Sequence, residues 1–424
     1  MESILLSNIA AIIVKDLLID DNQTKNEPPK FTTKEFPLLS ADTDDEALHF
    51  FLKQNRAKKR RKSDDIQNNT EKPVSSNLNR VSVEGDSQST IAPYEFSKHQ
   101  APLEINLINK FNTILFEGYL HMSKITFLRI FKRLRRFLPN EHIPTAAPPQ
   151  SIFSLALWKL STDEHFEDIA RKFNTTKHIC QQLIRLFWRR ISAQYELLIQ
   201  WPSTPEKRNY NIQNFQTLHQ LKKFGQLFGI VASKKLDVFL EAENEERQVV
   251  LQIICDADQK IIDSFLVLAD DYSFDASPIG QTLALNVQTM PTGSYLIGNN
   301  SFPLKPYLMR PIGEPSDDEE RNFNSALQPA LHIGEQVLDA MAKRFNVLYA
   351  LEARNIHEVR KIVDTVCALH NLCVEMEDDY SERKLKDMQF NWAKVIDEGS
   401  KKLRDEQDEQ GKQKRRALMA QVLN

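Results

Sequence analysis

The side chains best placed to do chemistry in this sequence are recognition groups. They lie in the run Phe-Glu-Asp-Ile-Ala-Arg-Lys-Phe-Asn-Thr-Thr-Lys-His-Ile-Cys over 166–180. Thr176, Lys177, Gln181 and Gln182 fall on the exposed start of a helix, with Arg185 one turn further on. At the head of a DNA-recognition helix such residues face base edges, while neighbouring cations grip phosphates. The same spacing also suits an ordinary helical hairpin inside a core. A second candidate is Cys367, His370 and Cys373, three residues apart. On a helix they span about 120°, and a zinc site would need a fourth ligand and usually a CxxC knuckle. A thiol in so apolar a stretch is inert as a nucleophile, so packing is the expected role of all three.

The elements that must carry these groups follow from periodicity. Ile169, Ala170 and Phe173 give one helix an inner face; Asn174 supplies a turn and Thr175 or Thr176 caps the next helix. Ile179, Leu183, Leu186 and Phe187 form that second helix's buried stripe, so helices are expected over 164–173 and 176–194. Upstream, 122–138 places Phe127, Ile130, Phe131, Leu134 and Leu138 on one stripe. Its other faces carry Arg129, Lys132, Arg133, Arg135 and Arg136, and Pro139 ends it. A further helix is expected at 151–160. Beyond 222 the pattern becomes short β-branched runs at 227–232, 236–240, 249–254, 260–268 and 296–297. An acidic loop at 314–321 then leads to helices at 332–350 and 355–376. Strands followed by helices indicate a mixed α/β domain.

The chain has 424 residues, a formal charge of −3 and 41% hydrophobic residues. That excludes a wholly disordered protein and a uniformly basic nucleic-acid coat, so any nucleic-acid surface must be a local patch. With only 11 glycines and no GxGxxG or GxxxxGK[ST] string, dinucleotide and P-loop chemistry is not expected. Four irregularly spaced cysteines suit a reducing compartment. The apolar stretch near the N-terminus follows Glu2 and closes at Lys15, too short for a bilayer. It reads as an amphipathic helix, 3–18, with a second at 45–53. The run Arg56-Ala-Lys58-Lys59-Arg60-Arg61-Lys62 reads as a nuclear localisation signal, and the polar stretch 63–95 as a linker.

Several strings then fall into one order. Tyr119-Leu-His-Met-Ser123 precedes Phe127, followed by Ala156-Leu-Trp-Lys-Leu-Ser-Thr162, the 166–180 segment and Trp201-Pro202. Downstream come Cys255-Asp-Ala-Asp258, Leu296-Ile-Gly-Asn-Asn-Ser-Phe-Pro-Leu304, Leu308-Met-Arg-Pro311, Phe323-Asn324, Glu335 through Arg344-Phe345, and Cys367-Ala-Leu-His-Asn-Leu372. From about 105 to 378 the sequence resembles the PIF/Harbinger transposase family and its host-domesticated descendants.

The resemblance implies an α/β RNase H-like (DDE transposase) domain, preceded by an all-α helix-turn-helix domain and a largely disordered N-terminal region. The expected organisation is 1–54, a partner segment; 55–95, basic run and linker; 96–210, helical domain; 211–380, RNase H-like domain; 381–424, a charged helix or tail. DDE chemistry uses three carboxylates on two divalent metals. The family's three positions fall on Ala232, Asn299 and Glu335, so only the last is a carboxylate. One Glu cannot hold two Mg²⁺, and the expectation is a pseudoenzyme with no metal or other cofactor. Asp237 lies an odd number of residues from Ala232 and would face the other side of a strand. Asp256 and Asp258 read as a turn, and Asp275 is a single acid. Acids at Glu241, Glu243, Glu245 and Glu246 stand where the family carries a basic phrase, which would repel phosphate.

The leading expectation is therefore a nuclear, catalytically inactive protein that binds DNA or chromatin. Phosphate contacts would come from Arg129, Lys132, Arg133, Arg171, Lys172 and Arg185, and base-edge contacts from Thr176, Lys177 and Gln181. The alternatives are an adaptor without DNA binding of its own, holding a Myb/SANT-like or other nuclear partner through the first helix, and an active metal-dependent nuclease. No membrane association is expected.

Overall fold

The computed structural model describes residues 103–138, 147–162, 164–219, 221–285, 289–378 and 408–423. The helices expected at 3–18 and 45–53, the basic run Arg56–Lys62 and the 63–95 linker lie outside the described residues. All described residues belong to one compact unit spanning 95–424.

The helical part comprises α1 (Leu107–Lys110), α2 (Thr113–Leu120), α3 (Lys124–Leu134), α4 (Pro149–Thr162), α5 (Phe166–Lys172), α6 (Lys177–Ser192), α7 (Tyr195–Leu198) and α8 (Pro205–Leu218). α3 starts where Ser123 accepts from the Thr126 amide at 3.1 Å. It is shorter than the expected 122–138, because a 3-10 turn over Arg135–Phe137 takes up its last residues. α4 is buried from Ser151 to Ser161 and forms the axis of this part. Around it Phe127 and Phe153 stand 4.7 Å apart, Phe153 and Phe187 5.8 Å, and Trp158 meets Phe173 edge-on at 5.3 Å. α5 and α6 form the expected helix, turn and helix. Asn174 takes the left-handed conformation (φ 53°), and Thr176 rather than Thr175 is the cap, accepting from the Ile179 amide.

The sheet contains β1 (Leu227–Leu240), β2 (Glu245–Cys255), β3 (Ile261–Leu268), β4 (Tyr295–Ile297), β5 (Leu308–Met309) and β6 (Leu351–Ala353). Its order is β3-β2-β1-β4-β5, with β6 on the far half of β1. The first three strands are antiparallel, and β4, β5 and β6 run parallel to their neighbours. This mixed sheet is consistent with an RNase H-like DDE domain. Two sequence expectations need correction. The runs 227–232 and 236–240 are one strand, because Ser233-Lys234-Lys235 keep pairing with Leu251 and its neighbours on β2. The acidic segment belongs partly to β2, which begins at Glu245 after a turn with Asn244 at φ 51°.

α9 (Pro278–Ala284) precedes β4. The long α10 (Asp318–Arg344) starts well before the expected residue 332, ends before 350, and contains Pro329. Its first turn is the end of the acidic loop. Asp317 caps it at 2.8 Å, and Asp318, Glu319 and Glu320 complement the positive end of the helix dipole. α11 (Ile356–Glu375) matches expectation closely. α12 (Glu409–Leu423) buries Leu418 and Val422 and is fastened at its end, where Lys223 Nζ donates to the Val422 carbonyl at 3.0 Å.

A buried polar joint ties the helical part to the sheet part. Arg344 Nη1 sits 2.5 Å from Asp378 Oδ2, both side chains almost fully buried. Arg344 also donates to the His121 carbonyl at 2.7 Å, and Asp378 Oδ1 accepts from Ser123 N and Thr126 Oγ1. The His-Met-Ser string after α2 thus serves as a docking corner.

Candidate functional site

β1 presents Ile230, Ala232 and Lys234 at alternate positions, hence on one face. α10 lies against that face at Gly334, where a Cβ would come within 2.9 Å of the Ala232 methyl and 3.0 Å of Ile230 Cγ2. The next residue is Glu335, its side chain 68% exposed and 3.7 Å from His332 Nδ1. On the neighbouring parallel strand, Ile297 pairs with Ile230. Position 299, two residues further along, therefore lies at the same end of the sheet as position 232, and these two residues carry an amide and a methyl. Asn299 Oδ1 accepts from Ser301 N at 3.0 Å.

Sequence reasoning missed the group that stands beside them. Lys234 is half-buried in the field of both Asp339 and Glu335. Burial lowers its ammonium pKa, and those two carboxylates oppose the shift. The signal was available: Lys234 lies two residues after Ala232 and must share its face, while Asp339 lies one helical turn after Glu335. The two divalent cations implied by the family do not fit this donor set. A hard dication needs several anionic oxygens, and a nearby ammonium repels it. Among the described residues no three His, Cys, Asp or Glu side chains converge to hold a metal. Asp237 accepts from Gln248 across the hairpin. Asp256 accepts from the Asp258 and Lys260 amides in its turn, with burial pushing its carboxyl up to about 7. Asp258 is held by Asn214.

The expected nucleic-acid contacts divide differently. Lys177 pairs with Glu167, and that carboxylate, with Glu241 adding, holds its ammonium above the ordinary value. Arg171 pairs with Asp168 at 3.0 Å, Lys172 with Glu164, and Arg133 with Glu375. Arg129 and Gln181 are half-buried, Lys132 is exposed, and Thr176 is used as a cap. Arg185 departs from the expected outward grip. Its side chain is only 16% exposed, with Nε 2.9 Å from Glu358 and Nη2 3.4 Å from Glu241. The reason is packing: α6 lies along α11, where Thr365 Oγ1 reaches the Trp188 carbonyl, so Arg185 meets the first turn of α11. Arg189 and Arg190, near the end of α6, are exposed and were not foreseen.

Residues 234–371 match the family model described as DDE superfamily endonuclease. The chain is 24% identical over 291 residues to "Protein ALP1-like" of Arabidopsis thaliana, covering 61% of this chain and 70% of that protein. The chain is thus similar to PIF/Harbinger-type transposase-derived proteins. No solved structure matches it.

In this chain the Cys-Ala-Leu-His-Asn-Leu string has a structural use. Asn371 Oδ1 accepts from Ile261 N and its Nδ2 donates to Ile261 O, both at 2.7 Å. His370 Nε2 lies 3.0 Å from the Gln259 carbonyl, and burial pushes its pKa down to about 4. The pair fixes the turn into β3. Cys367 and Cys373 are buried on the same helix with thiol pKa values raised by burial, which makes both poor nucleophiles.

Proposed function

We propose that this transposase-derived protein is catalytically inactive and acts in the nucleus as a DNA- or chromatin-associated binding protein. The observation that carries the reading is Lys234 beside Glu335 and Asp339, with Ala232 and Asn299 in the other two positions. An ammonium between two carboxylates of one helix gives phosphodiester transfer neither its metals nor an activated water. The nuclear assignment rests on the Arg56–Lys62 run, and DNA contact on the cations of α3 and α6. The test is incubation of the full chain with supercoiled DNA and Mg²⁺ or Mn²⁺. No nicking is expected; nicking abolished by Glu335→Gln overturns the reading.

An adaptor without DNA binding of its own is the second reading, favoured by the pairing of Lys177 with Glu167 and of Arg185 with Glu358 and Glu241. A salt series with pooled duplex DNA separates the two. Each phosphate contact releases counterions, so a DNA binder loses affinity steeply with salt. A flat, weak profile favours the adaptor, with a Myb/SANT-like or other nuclear protein as the partner held through residues 1–54.

A further inference from the structure

A second concavity lies away from the family positions, where α6 ends, α7 turns and α11 passes beneath. It encloses about 540 Å³ and is lined by Ala193, Tyr195, Glu196, Leu197, Arg360 and Asp364 among others. Its floor is fixed. The Tyr195 hydroxyl accepts from the Ser264 amide at 2.8 Å and lies 3.0 Å from Ser264 Oγ, sealing the free edge of β3.

Among the described residues the charges around it do not balance. Arg360 Nε is 3.7 Å from Asp364 Oδ1, and the Asp364 side chain is only 12% exposed. Behind it on β3 lies Asp263, whose Oδ2 is buried and has no hydrogen-bond partner among the described residues. Among the described residues Arg360 is the one cation acting on both carboxyls, and burial still pushes each of them up to about 6. One guanidinium therefore serves two buried carboxylates, and Glu196 at the rim adds a third acid. Buried acids without full compensation carry a standing cost that a desolvated cation would relieve. Beside the acids, Leu197 is 48% exposed and forms an apolar lip.

We propose that this cavity receives an arginine or lysine side chain from a short segment of a protein partner, with an apolar neighbour of that residue resting on Leu197. The rim charge sets the preference for a cation, and Leu197 makes the site read a peptide rather than a free amine. The site stands whether or not the chain touches DNA.

The test presents the full-length chain to a positional library of acetyl-capped, amidated hexapeptides. Expected is enrichment of Arg or Lys at one position, with an aliphatic or aromatic residue within two places of it. A fluorescent copy of the selected peptide is then titrated, with citrulline or acetyl-lysine replacing the basic residue as control. Loss of the charge is expected to weaken binding roughly tenfold or more. Asp364→Asn and the exposed Glu196→Lys should do the same, and Leu197→Ser should erase the apolar preference alone. Glu196→Lys keeps the test decisive if Asp364→Asn fails to fold. No enrichment of basic residues, or enrichment unchanged in Glu196→Lys, overturns the proposal. Equal binding of free arginine amide and the peptide overturns the assignment to a protein partner.

Discussion

Gly334 packs so closely on Ala232 that it has no room for a side chain: a Cβ on the helix residue would stand 2.9 Å from the methyl on the strand. Gly334→Ala should therefore lose stability although alanine is the better helix former. Ile230 and Ala232 belong to the central strand and cannot retreat, so overpacking of about 1–3 kcal/mol is expected. Urea denaturation of Gly334→Ala, Ala232→Gly and the double variant would show it. The double variant should recover part of the loss, the clash with Ile230 Cγ2 remaining, and simple additivity would refute the contact.

Restoring the acids alone should not restore a metal site. Ala232→Asp/Asn299→Asp returns three carboxylates but leaves Lys234 among them. No rise in melting temperature with Mg²⁺ or Mn²⁺ is expected for that variant. Adding Lys234→Thr should produce one, since the ammonium is then gone and binding to the folded state alone raises stability. A metal-dependent rise already present in the double variant would show that Lys234 is no obstacle.

Stability should vary with pH through two buried groups of opposite sign. Burial brings the His370 pKa down to about 4 from 6.5. Below pH 6.5 the unfolded chain takes up the proton first, so the contribution of neutral His370 is complete above 6.5 and lost as pH falls towards 4. Asp256 is pushed up from 3.8 to about 7. Its contribution is complete below pH 3.8 and lost as pH rises through 7. Each effect should be worth roughly 3–4 kcal/mol across its window. His370→Gln should flatten the acid limb, and Asp256→Asn, which keeps an acceptor for the Asp258 and Lys260 amides, should flatten the rise-side loss. Urea midpoints across pH 4–8 would separate the two.

The Arg344–Asp378 pair should be costly to break from one side. Asp378→Ala leaves a buried guanidinium uncompensated and deprives Ser123 N and Thr126 Oγ1 of their acceptor. A loss of about 3–5 kcal/mol is expected, with earlier protease cleavage around residues 121–126. An unchanged denaturation midpoint would place the joint's strength elsewhere.

Much of this was legible in the sequence where a stripe and a cap coincide. α5, α6 and α11 are each bounded by an Asn or Thr signal beside a strict apolar repeat. The strand β1 was not, because Ser233-Lys234-Lys235 breaks the apolar pattern and only pairing with β2 carries the backbone through it. The start of α10 was hidden because its acids read as a solvated loop, although acids at a helix N-terminus are favourable. Arg185 was misplaced for a different reason. Periodicity shows which face of a helix is polar, but not that Glu358 and Glu241, 173 and 56 residues away, close over it. The positions of Ala232, Asn299 and Glu335 were found by resemblance, whereas Lys234 between them needed the face-sharing argument to be carried one step further.

The last turn of α12 grips the entry to the central strand through Lys223 and Val422, residues 199 positions apart. His121 likewise waits for Arg344, 223 positions later. A ribosome making this chain releases the helical part and β1 long before their fastenings exist. For most of synthesis the nascent chain presents an unfinished corner to chaperones and proteases, and any premature stop before α12 leaves the entry to the central strand unfastened. Codon-level stalling upstream of residue 409 should therefore yield products that are cleared rather than shorter versions that work.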